Sequence, residues 1–194
     1  MFSFSIYMTS INFGAKYIRP VVVQQRQEDT YQYTAIALVE LASGEDYTED
    51  KNDIVALKTV ANSWKARYAR NIANDMSRPF KDSIFGARNH FYALTTQKDS
   101  FDTFEAEKVL ALAEFCDNDV ENCNELKYIQ VKPNAKPNYK KIGSGLLDAI
   151  KKIHSTKSIK AFLDTNVIPF YEQNGFKQEF DPYERTKYVW HNLK

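Results

Sequence analysis

Cysteine is scarce in this sequence, and its scarcity excludes two classes of small stabilised domain. The 194 residues contain two cysteines, Cys116 and Cys123, which have six residues between them and no neighbouring histidines. This spacing is not a zinc-binding pattern, and a single pair of cysteines does not make a disulfide framework. We therefore interpret both as free thiols, which are typical of a cytoplasmic protein.

Long apolar runs are also missing. No segment approaches the roughly 20 apolar residues that span a bilayer, so no membrane contact is predicted. The first residues, MFSFSIYMTSINFG, lack the basic start and the small-residue cleavage site of a signal peptide. With 43% hydrophobic and 26% charged residues, the composition is that of a globular protein, and its length predicts a single domain over residues 1–194.

The formal net charge is only +1, but the charges are segregated along the chain. Residues 127–160 contain nine lysines and one acid, Asp148, whereas residues 99–125 contain nine acids and one lysine, Lys108. Each run is typical of a solvated face. The two runs together are also compatible with a site that holds an anionic ligand on one side and a cationic ligand on the other.

Apolar periodicity predicts a series of strands. Alternating and β-branched stretches place them at residues 17–25, 33–41, 90–96, 108–115, 126–132, 158–163, 176–180 and 187–192. The polar segment RQEDT predicts a hairpin between the first two strands, within an N-terminal segment of residues 1–45. A polar turn is predicted at residues 116–124.

Helices are predicted between these strands. One long helix should carry the apolar stripe Ile54, Leu57, Ala61, Trp64, Tyr68 and Ile72, with Asp50 or Asn52 as its cap and its end at residues 77–79. A stripe of this kind is interpreted as core. A second helix should bury Leu146, Leu147, Ile150 and Ile153. A short third helix, residues 167–174, should have Thr165 or Asn166 as its cap and Gly175 beyond its end. This order predicts a mixed α/β sheet with helices on both faces.

Glycine is scarce as well, and two of the six glycines lie in one segment, NYKKIGSGLLDAIKKI. Gly143 and Gly145 directly precede a predicted helix and follow Lys136, Lys140 and Lys141. A helix N-terminus offers unpaired N–H groups and a partial positive charge, so this turn predicts a site for a phosphate-bearing ligand. It is neither a Walker loop nor a dinucleotide fingerprint, since the residues that those patterns require are missing.

Two segments together resemble the GNAT superfamily of N-acetyltransferases. They are YIQVKP…NYKKIGSGLL and FLDTNVIPFYEQNGF, about 20 residues apart. The resemblance implies the acyl-CoA N-acyltransferase fold, a mixed and mostly antiparallel twisted sheet, with a core for acetyl-CoA at residues 105–180. It also implies that the V-x-P strand lines the pantetheine arm, that the glycine loop takes the pyrophosphate, and that the tyrosine of FYEQNGF lies near the CoA sulfur.

The same resemblance implies a set of cofactor-binding residues: Ile129, Val131, Asn138, Tyr139, Lys140, Lys141, Ile142, Gly143, Ser144, Gly145, Asn166 and Tyr171. The family's loop usually reads Q/R-x-x-G-x-G/A. Aligning the leucine pair gives Asn138-x-x-Lys141-x-Gly143, so that asparagine and lysine replace two of the usual residues. Aligning the glycines gives Lys140-x-x-Gly143-x-Gly145 instead. The helical stripe favours the first register.

The reaction that the resemblance implies is transfer of an acetyl group from acetyl-CoA to an amine. The backbone N–H of Val131 would polarise the thioester carbonyl, and Tyr171 would protonate the leaving thiolate, unless its ring only packs. Glu114 is the candidate base. It shares its strand parity with buried leucines, so it faces either the cleft or, as we favour, solvent at the end of the strand. The histidines show no partners in the sequence, and no metal is predicted.

Other functions remain open. A non-catalytic acyl-CoA-binding protein, or interaction protein, on the same fold is the first alternative. A nucleic-acid module is not favoured, because few aromatic residues interleave with the lysines. An acetyltransferase acting on charged tRNA is a further possibility within the family. We expect the acidic stretch, residues 99–125, to border the cleft and attract a cationic amine. The acceptor stays unidentified, and a homodimer is left open.

Overall fold

The computed structural model describes residues 15–41, 51–77, 88–101, 104–117, 123–180 and 186–192. The strands in these ranges are β1 (Lys16–Gln27), β2 (Thr30–Leu41), β3 (Arg88–Thr95), β4 (Val109–Asp117), β5 (Cys123–Val131), β6 (Tyr139–Lys140), β7 (Ser158–Ala161), β8 (Lys177–Glu179) and β9 (Lys187–Trp190). The helices are α1 (Lys51–Trp64), α2 (Arg67–Met76), α3 (Ile142–Ile153) and α4 (Ile168–Gln173). The strands form one sheet in the order β6-β1-β2-β3-β4-β5-β7-β9-β8.

The first two strands form the predicted hairpin. Their antiparallel ladder ends with Gln27 opposite Thr30, so the strands extend into the polar segment that was expected to form the whole turn. Val21 and Val23 are buried, whereas Val22 between them is 59% exposed. This alternation is what fixes the side of β1 that faces the core.

A hydrophobic core lies on each face of the sheet, as predicted. One core joins α3 and α4 to the sheet and includes Leu146, Leu147 and Tyr171. The other joins α1 and α2 to the opposite face and includes Leu57 and Ile72. The mixed α/β sheet with helices on both faces is therefore confirmed.

The ladder between β5 and β7 is short, and this shortness opens a cleft between the two strands. The two strands run parallel and pair only from Cys123 opposite Ser158 to Glu125 opposite Lys160. After Glu125, β5 continues to Val131 while β7 ends at Ala161. The cleft-side edge of β5 is therefore open beyond Glu125.

The single long helix predicted around Trp64 is wrong. Lys65 has φ 52°, which ends α1, and Ala66 is extended before α2 begins at Arg67. The apolar period continues across this break, since Trp64 and Ile72 are both buried, and periodicity alone does not reveal the interruption. Asn52 lies inside α1 and is not its cap. Asp50 and Pro79 lie outside the described residues. The predicted end at residue 77 is confirmed, because α2 ends at Met76.

Two further predicted boundaries differ from the structure. Cys116 and Asp117 continue β4 instead of entering a turn, and residues 118–122 lie outside the described ranges. The segment before α4 is a 3-10 turn, Thr165–Val167, so neither Thr165 nor Asn166 caps that helix. Gly175 lies beyond α4 with φ 83°, as predicted for a residue that ends a helix.

His90 and His154 have buried partners that the sequence did not reveal. His90 Nδ1 lies 2.6 Å from Glu40 Oε1, and His90 Nε2 lies 3.0 Å from Asp117 Oδ2. His154, at the C-terminal end of α3, lies 2.9 Å from the Tyr92 hydroxyl through Nε2 and 3.3 Å from Asp117 Oδ1 through Nδ1. These five side chains tie the end of α3 to β2, β3 and β4.

None of the helices in the described ranges is long and apolar enough to cross a bilayer. Cys116 is a buried free thiol, as predicted, whereas the side chain of Cys123 lies outside the described part of the chain.

Candidate active site

A cavity of about 410 Å³ lies where β5 and β7 part. Its lining includes Lys127, Tyr128, Ile129 and Val131 of β5, Gly143 of α3, and Phe170 and Tyr171 of α4. Its volume is in the range typical of small-molecule sites. The cavity therefore brings together the V-x-P strand, one of the two glycines and the candidate acid.

The backbone of β5 directs donors into this cavity. Lys132 N donates to Leu110 O at 2.8 Å, and the register places Val131 opposite Ala111. In an antiparallel ladder the residues that bond the neighbour alternate with residues whose N–H and C=O point away from it. Ile129 and Val131 therefore direct their N–H groups toward the cleft. Val131 O accepts a bond from Gln130 Nε2 at 2.8 Å.

The N-terminus of α3 lies at the same cleft. Gly145 N donates to Lys141 O at 2.9 Å, so the amides of Ile142, Gly143 and Ser144 precede the first bond of the helix ladder. No side chain caps this helix end. Such amides carry partial positive charge and favour anionic ligands. Gly143 lines the cavity, so this end of α3 can present its donors to a ligand there.

Lys141 is the residue of this loop with unusual backbone geometry. Its φ of 61° and ψ of 17° place it in the left-handed region, which normally favours glycine. This conformation agrees with the register in which Lys141 replaces the first glycine of the family loop. The two glycines themselves lie inside the first turn of α3.

Protein atoms explain why side chains are absent at these glycines. A Cβ atom on Gly143 would lie 3.2 Å from Phe170 Cζ and 3.4 Å from Val131 Cγ2. A Cβ atom on Gly145 would lie 3.0 Å from Val21 Cγ1, on the side of α3 that packs against β1. The expectation that both glycines open the turn to an anion is therefore wrong for Gly145, whose amide is also used within the helix.

Four other residues predicted to hold the cofactor do not line this cavity in the described structure: Asn138, Tyr139, Lys140 and Asn166. Tyr139 and Lys140 form β6 and pair with β1, while Asn138 O accepts a bond from Arg26 N at 2.7 Å. The Lys140 ammonium lies 3.8 Å from the ring centre of Tyr31. Asn166 is exposed in the 3-10 turn.

Tyr171 lies at the cavity and also packs against neighbouring aromatic rings. It lines the cavity and is 4% exposed, and its ring packs nearly perpendicular to Phe170 and Phe176, with centroids 5.2 and 5.3 Å away. Burial raises the pKa of its hydroxyl well above the ordinary value. The phenol therefore keeps its proton at neutral pH and can donate it.

Glu114 lies in neither of the two places predicted for it, the cleft and the solvent-exposed end of its strand. Its side chain is fully buried, so the predicted solvent-facing position is wrong. It lies behind the cavity, where its Oε1 is 3.2 Å from Lys127 Nζ, and Lys127 itself lines the cavity. Burial raises the pKa of Glu114 to about 7, against the opposing effect of the Lys127 charge. Lys127 also donates to Asn89 Oδ1 at 3.0 Å.

Helix α2 supplies a wall that the sequence interpretation missed. Arg67 and Tyr68 line the cavity opposite Asp164, whose carboxylate accepts a short bond from the Tyr68 hydroxyl. Arg67 Nη1 lies 4.0 Å from the same carboxylate, and Tyr68 stacks on Tyr128 with centroids 5.6 Å apart. Tyr68 was interpreted as core because it continues the apolar stripe. The break at Lys65 turns it toward the cleft.

The acidic stretch does not border the cavity within the described residues. Its acids are used elsewhere: Glu114 pairs with Lys127, Asp117 binds the two histidines, and Glu105 pairs with Lys108 at 2.7 Å. The ionic groups that line the cavity are Arg67, Lys127 and Asp164. The predicted attraction of a cationic amine by residues 99–125 therefore has no support at this site. In the part of the chain that the structure describes, no group of His, Cys, Asp or Glu is arranged to hold a metal ion.

The fold matches solved acetyltransferase structures. No protein-family model matches the chain, and no curated protein does either. A Lactobacillus plantarum protein assigned as an N-acetyltransferase is 12% identical, with a TM-score of 0.53 over 82% of this chain and 100% of that chain. The catalytic domain of the Tetrahymena GCN5 histone acetyltransferase, in complex with coenzyme A, is also 12% identical, with a TM-score of 0.52 over 81% of this chain and 93% of that domain. The chain thus has the fold of the GNAT N-acetyltransferases, and this likeness concerns the fold alone.

Proposed function

We propose that this protein is an acyltransferase that moves an acetyl group from acetyl-CoA to a primary amine. The observation that carries this proposal is the coincidence of two features at one cavity: the open edge of β5 and the uncapped N-terminus of α3. The first offers peptide-like hydrogen bonds and the second offers an anion site. Acetyl-CoA carries amide groups and a pyrophosphate on one extended molecule, so it matches both.

The residues present fit such a ligand without rearrangement of the sheet. The amides of Ile142, Gly143 and Ser144 suit the pyrophosphate. The cleft-facing groups of Ile129 and Val131 suit the pantetheine amides, which places the thioester deeper in the cavity, toward Tyr171. Each contact uses a donor that the fold has already directed into the cleft.

The chemistry uses three groups. The acceptor amine attacks the carbonyl carbon of the thioester, a C–N bond forms, and the oxygen gains negative charge that a β5 amide, at Val131 or Ile129, stabilises. The C–S bond then breaks, and the departing thiolate takes the proton of the Tyr171 hydroxyl. The acceptor loses a proton in the same cycle, so a base is also needed.

A second candidate is acyl-CoA binding without turnover. Lys141 favours it, because a lysine occupies the left-handed position where the resembling family usually has glycine. Tight binding in the absence of any acetyl transfer would support this alternative.

One experiment separates the candidates. The purified protein is titrated with CoA by calorimetry, and acetyl transfer to a panel of alkylamines, amino acids and lysine peptides is followed by thiol release. Binding together with amine-dependent thiol release supports the transferase. Binding alone supports the second candidate, and failure to bind CoA overturns both.

A further inference from the structure

The wall of the cavity between β5 and β4 contains a buried ion pair whose two members have different surroundings. Lys127 reaches the cavity surface, whereas Glu114, 3.2 Å behind it, is fully buried in the core on the α1 and α2 side of the sheet. A carboxylate removed from water is costly unless it is paired, and this one pairs with Lys127 and also lies against Asp75 of α2. The pair thus connects the cavity to the protein interior.

The position of Lys127 on its strand is irregular. The ladder between β4 and β5 shifts register between Glu114 and Phe115, which face Tyr128 and Leu126, so Lys127 is the extra residue on β5. Such a bulge re-aims a side chain relative to the regular alternation. Here it lets Lys127 contact both the cavity and the β4 side chain Glu114, with Asn89 of β3 fixing its ammonium at 3.0 Å.

Other ionisable groups surround Glu114 on the side away from the cavity. Asp75 of α2 faces Glu114, and its charge raises the pKa of that carboxyl, while the charge of Lys127 lowers it. Burial lowers the pKa of Lys127, but Glu114, Cys116 and Glu125 outweigh it and raise that pKa, so Lys127 stays an ammonium and gives up one proton only as it takes another. Asp75 is only half-buried, so a proton on Glu114 has an exit to solvent through α2 that does not pass back through the cleft.

We propose that Lys127 and Glu114 act together as the base of the acetyl transfer, with Lys127 contacting the acceptor and Glu114 receiving the proton. This inference rests on the proposed function and names the group that function still lacks. The Glu114 carboxylate does not reach the cavity. It can therefore serve as a base only through the Lys127 ammonium, which lies between Glu114 and the acceptor.

The proton balance of this step is simple. The Glu114 carboxylate takes a proton from Lys127 Nζ, and Nζ takes a proton from the ammonium of the acceptor. Lys127 ends as it began, the acceptor becomes a neutral amine, and Glu114 becomes a neutral carboxylic acid. The neutral amine then attacks the thioester, and Glu114 returns its proton to solvent past Asp75.

The charges lining the cavity assist this step. The lining contains the cations Arg67 and Lys127 and the anion Asp164, and Asp164 already contacts Arg67 and the Tyr68 hydroxyl. The charge of Lys127 therefore disfavours an ammonium placed beside it and favours the neutral amine. Burial together with Asp75 holds the pKa of Glu114 at about 7, which is near the value that suits a base at neutral pH. An ordinary exposed carboxylate would be too weak a base for this role.

The test compares Glu114→Gln and Lys127→Met with wild type on two acceptors of nearly equal size. Ethylamine is protonated at neutral pH, whereas 2,2,2-trifluoroethylamine is neutral and needs no base before attack. We expect kcat/KM for ethylamine to fall by roughly 100-fold in both variants. The rate with trifluoroethylamine should change little, and the variants should recover with ethylamine at alkaline pH.

The control is Glu105→Gln, which removes the carboxylate of an exposed lysine pair near the start of β4 and should leave both rates unchanged. CoA affinity and the thermal unfolding midpoint are measured for every variant. Equal losses with both acceptors in a folded variant would mean that the pair is structural and would overturn the proposal. CoA binding in wild type, measured separately, shows whether the underlying function still holds.

A second measurement does not depend on the acceptor. The infrared difference spectrum between wild type and Glu114→Gln reports the protonated carboxyl of Glu114 as the pH is varied. We expect that band to disappear around pH 7 in wild type and to persist to higher pH in Lys127→Met, because the stabilising charge has been removed. A Glu114 that is already ionised at pH 5 would refute the proposal, since it could not hold the proton.

Discussion

The Cζ atom of Phe170 lies 3.2 Å from the position that a Cβ atom on Gly143 would occupy. Glycine at this position is thus favoured by a ring from α4, which packs over the first turn of α3 at the rim of the cavity. The contact couples the anion end of the cleft to the helix that carries Tyr171. A side chain at position 143 must therefore displace either that ring or a ligand.

We expect Gly143→Asp to bind CoA at least tenfold more weakly, a loss of about 1.4 kcal/mol, because it adds both a Cβ atom and a negative charge at the proposed phosphate site. Calorimetry on the folded variant measures this loss. Gly145→Ala is the matched control: its Cβ atom would approach Val21 on β1 at 3.0 Å, away from the cavity. It should lower stability by about 1–3 kcal/mol and leave CoA affinity nearly unchanged. Unchanged affinity in Gly143→Asp would contradict the location of the site.

Two substitutions at Lys141 separate the effect of its backbone strain from the effect of its side-chain charge. Lys141→Gly and Lys141→Ala both remove the ammonium, but only glycine adopts the left-handed conformation without strain. We expect the glycine variant to be more stable than the alanine variant by about 1 kcal/mol in urea unfolding, after allowing for the greater freedom of glycine in the unfolded chain. Both variants should bind CoA more weakly and with less dependence on salt. Equal stabilities would show that residue 141 is not held in this conformation.

Tyr171→Phe should keep the aromatic packing and remove only the hydroxyl. CoA affinity should stay within about twofold of wild type, while kcat falls by roughly 100-fold, the effect typical of a lost general acid. Because burial keeps the pKa of Tyr171 above the accessible range, raising the pH should not abolish the wild-type contribution of this group. If the variant turns over as fast as wild type at neutral and alkaline pH, Tyr171 serves packing alone.

His154 and His90 should each make the free energy of unfolding depend on pH, and the two dependences have opposite signs. Burial and the charge of His90 together lower the pKa of His154 to about 4, from an ordinary value of 6.5, against the opposing charge of Asp117. The unfolded chain therefore takes up a proton on His154 that the folded chain refuses. Stability from this group is present above pH 6.5 and is lost as the pH falls toward 4.

His90 acts in the other direction. Burial lowers its pKa, but the hydrogen bond to Glu40 and the charges of Glu40 and Asp117 outweigh burial and raise it. Its contribution is present at low pH and is lost as the pH rises through its folded pKa.

Urea unfolding between pH 4 and 8 measures both histidine contributions. In His154→Gln the loss of stability between pH 6.5 and 4 should shrink by on the order of 3 kcal/mol relative to wild type. When His90→Gln is added to His154→Gln, the contribution that His90 makes at low pH is removed, so the double variant should lose more stability on acidification than His154→Gln alone. An unaltered pH slope in His154→Gln would mean that His154 is protonated in the folded protein.

Local patterns in the sequence were sufficient for most of the fold. Alternating valines in β1, the leucine stripe in α3 and the glycine after α4 each reflect a short-range requirement, so the elements were predicted within a few residues. The break at Lys65 was missed because the apolar stripe continues through it, and a lysine with positive φ has no sequence signature. Loop geometry of this kind is set by the packing of both helices.

The site was only partly predictable, for the same reason. The strand ending in Val131, the start of α3 and Tyr171 meet at one cavity, as the resemblance implied. Arg67 and Tyr68 reach it from a segment that was interpreted as core. The partner of Glu114 was hidden because a bulge in β5 decides which way Lys127 points, and neither parity nor composition reveals a bulge. The partners of His90 come from strands distant in sequence.

The parting of β5 from β7 has a consequence for the protein without its ligand. From Ile129 to Val131, one edge of β5 offers N–H and C=O groups that none of the described strands pairs with, and such an edge is a template on which another polypeptide can add itself. A molecule that fills the gap would shield this edge. Preparations kept saturated with CoA should therefore resist self-association on concentration and storage better than preparations stripped of it, which makes ligand occupancy a determinant of solubility as well as of catalysis.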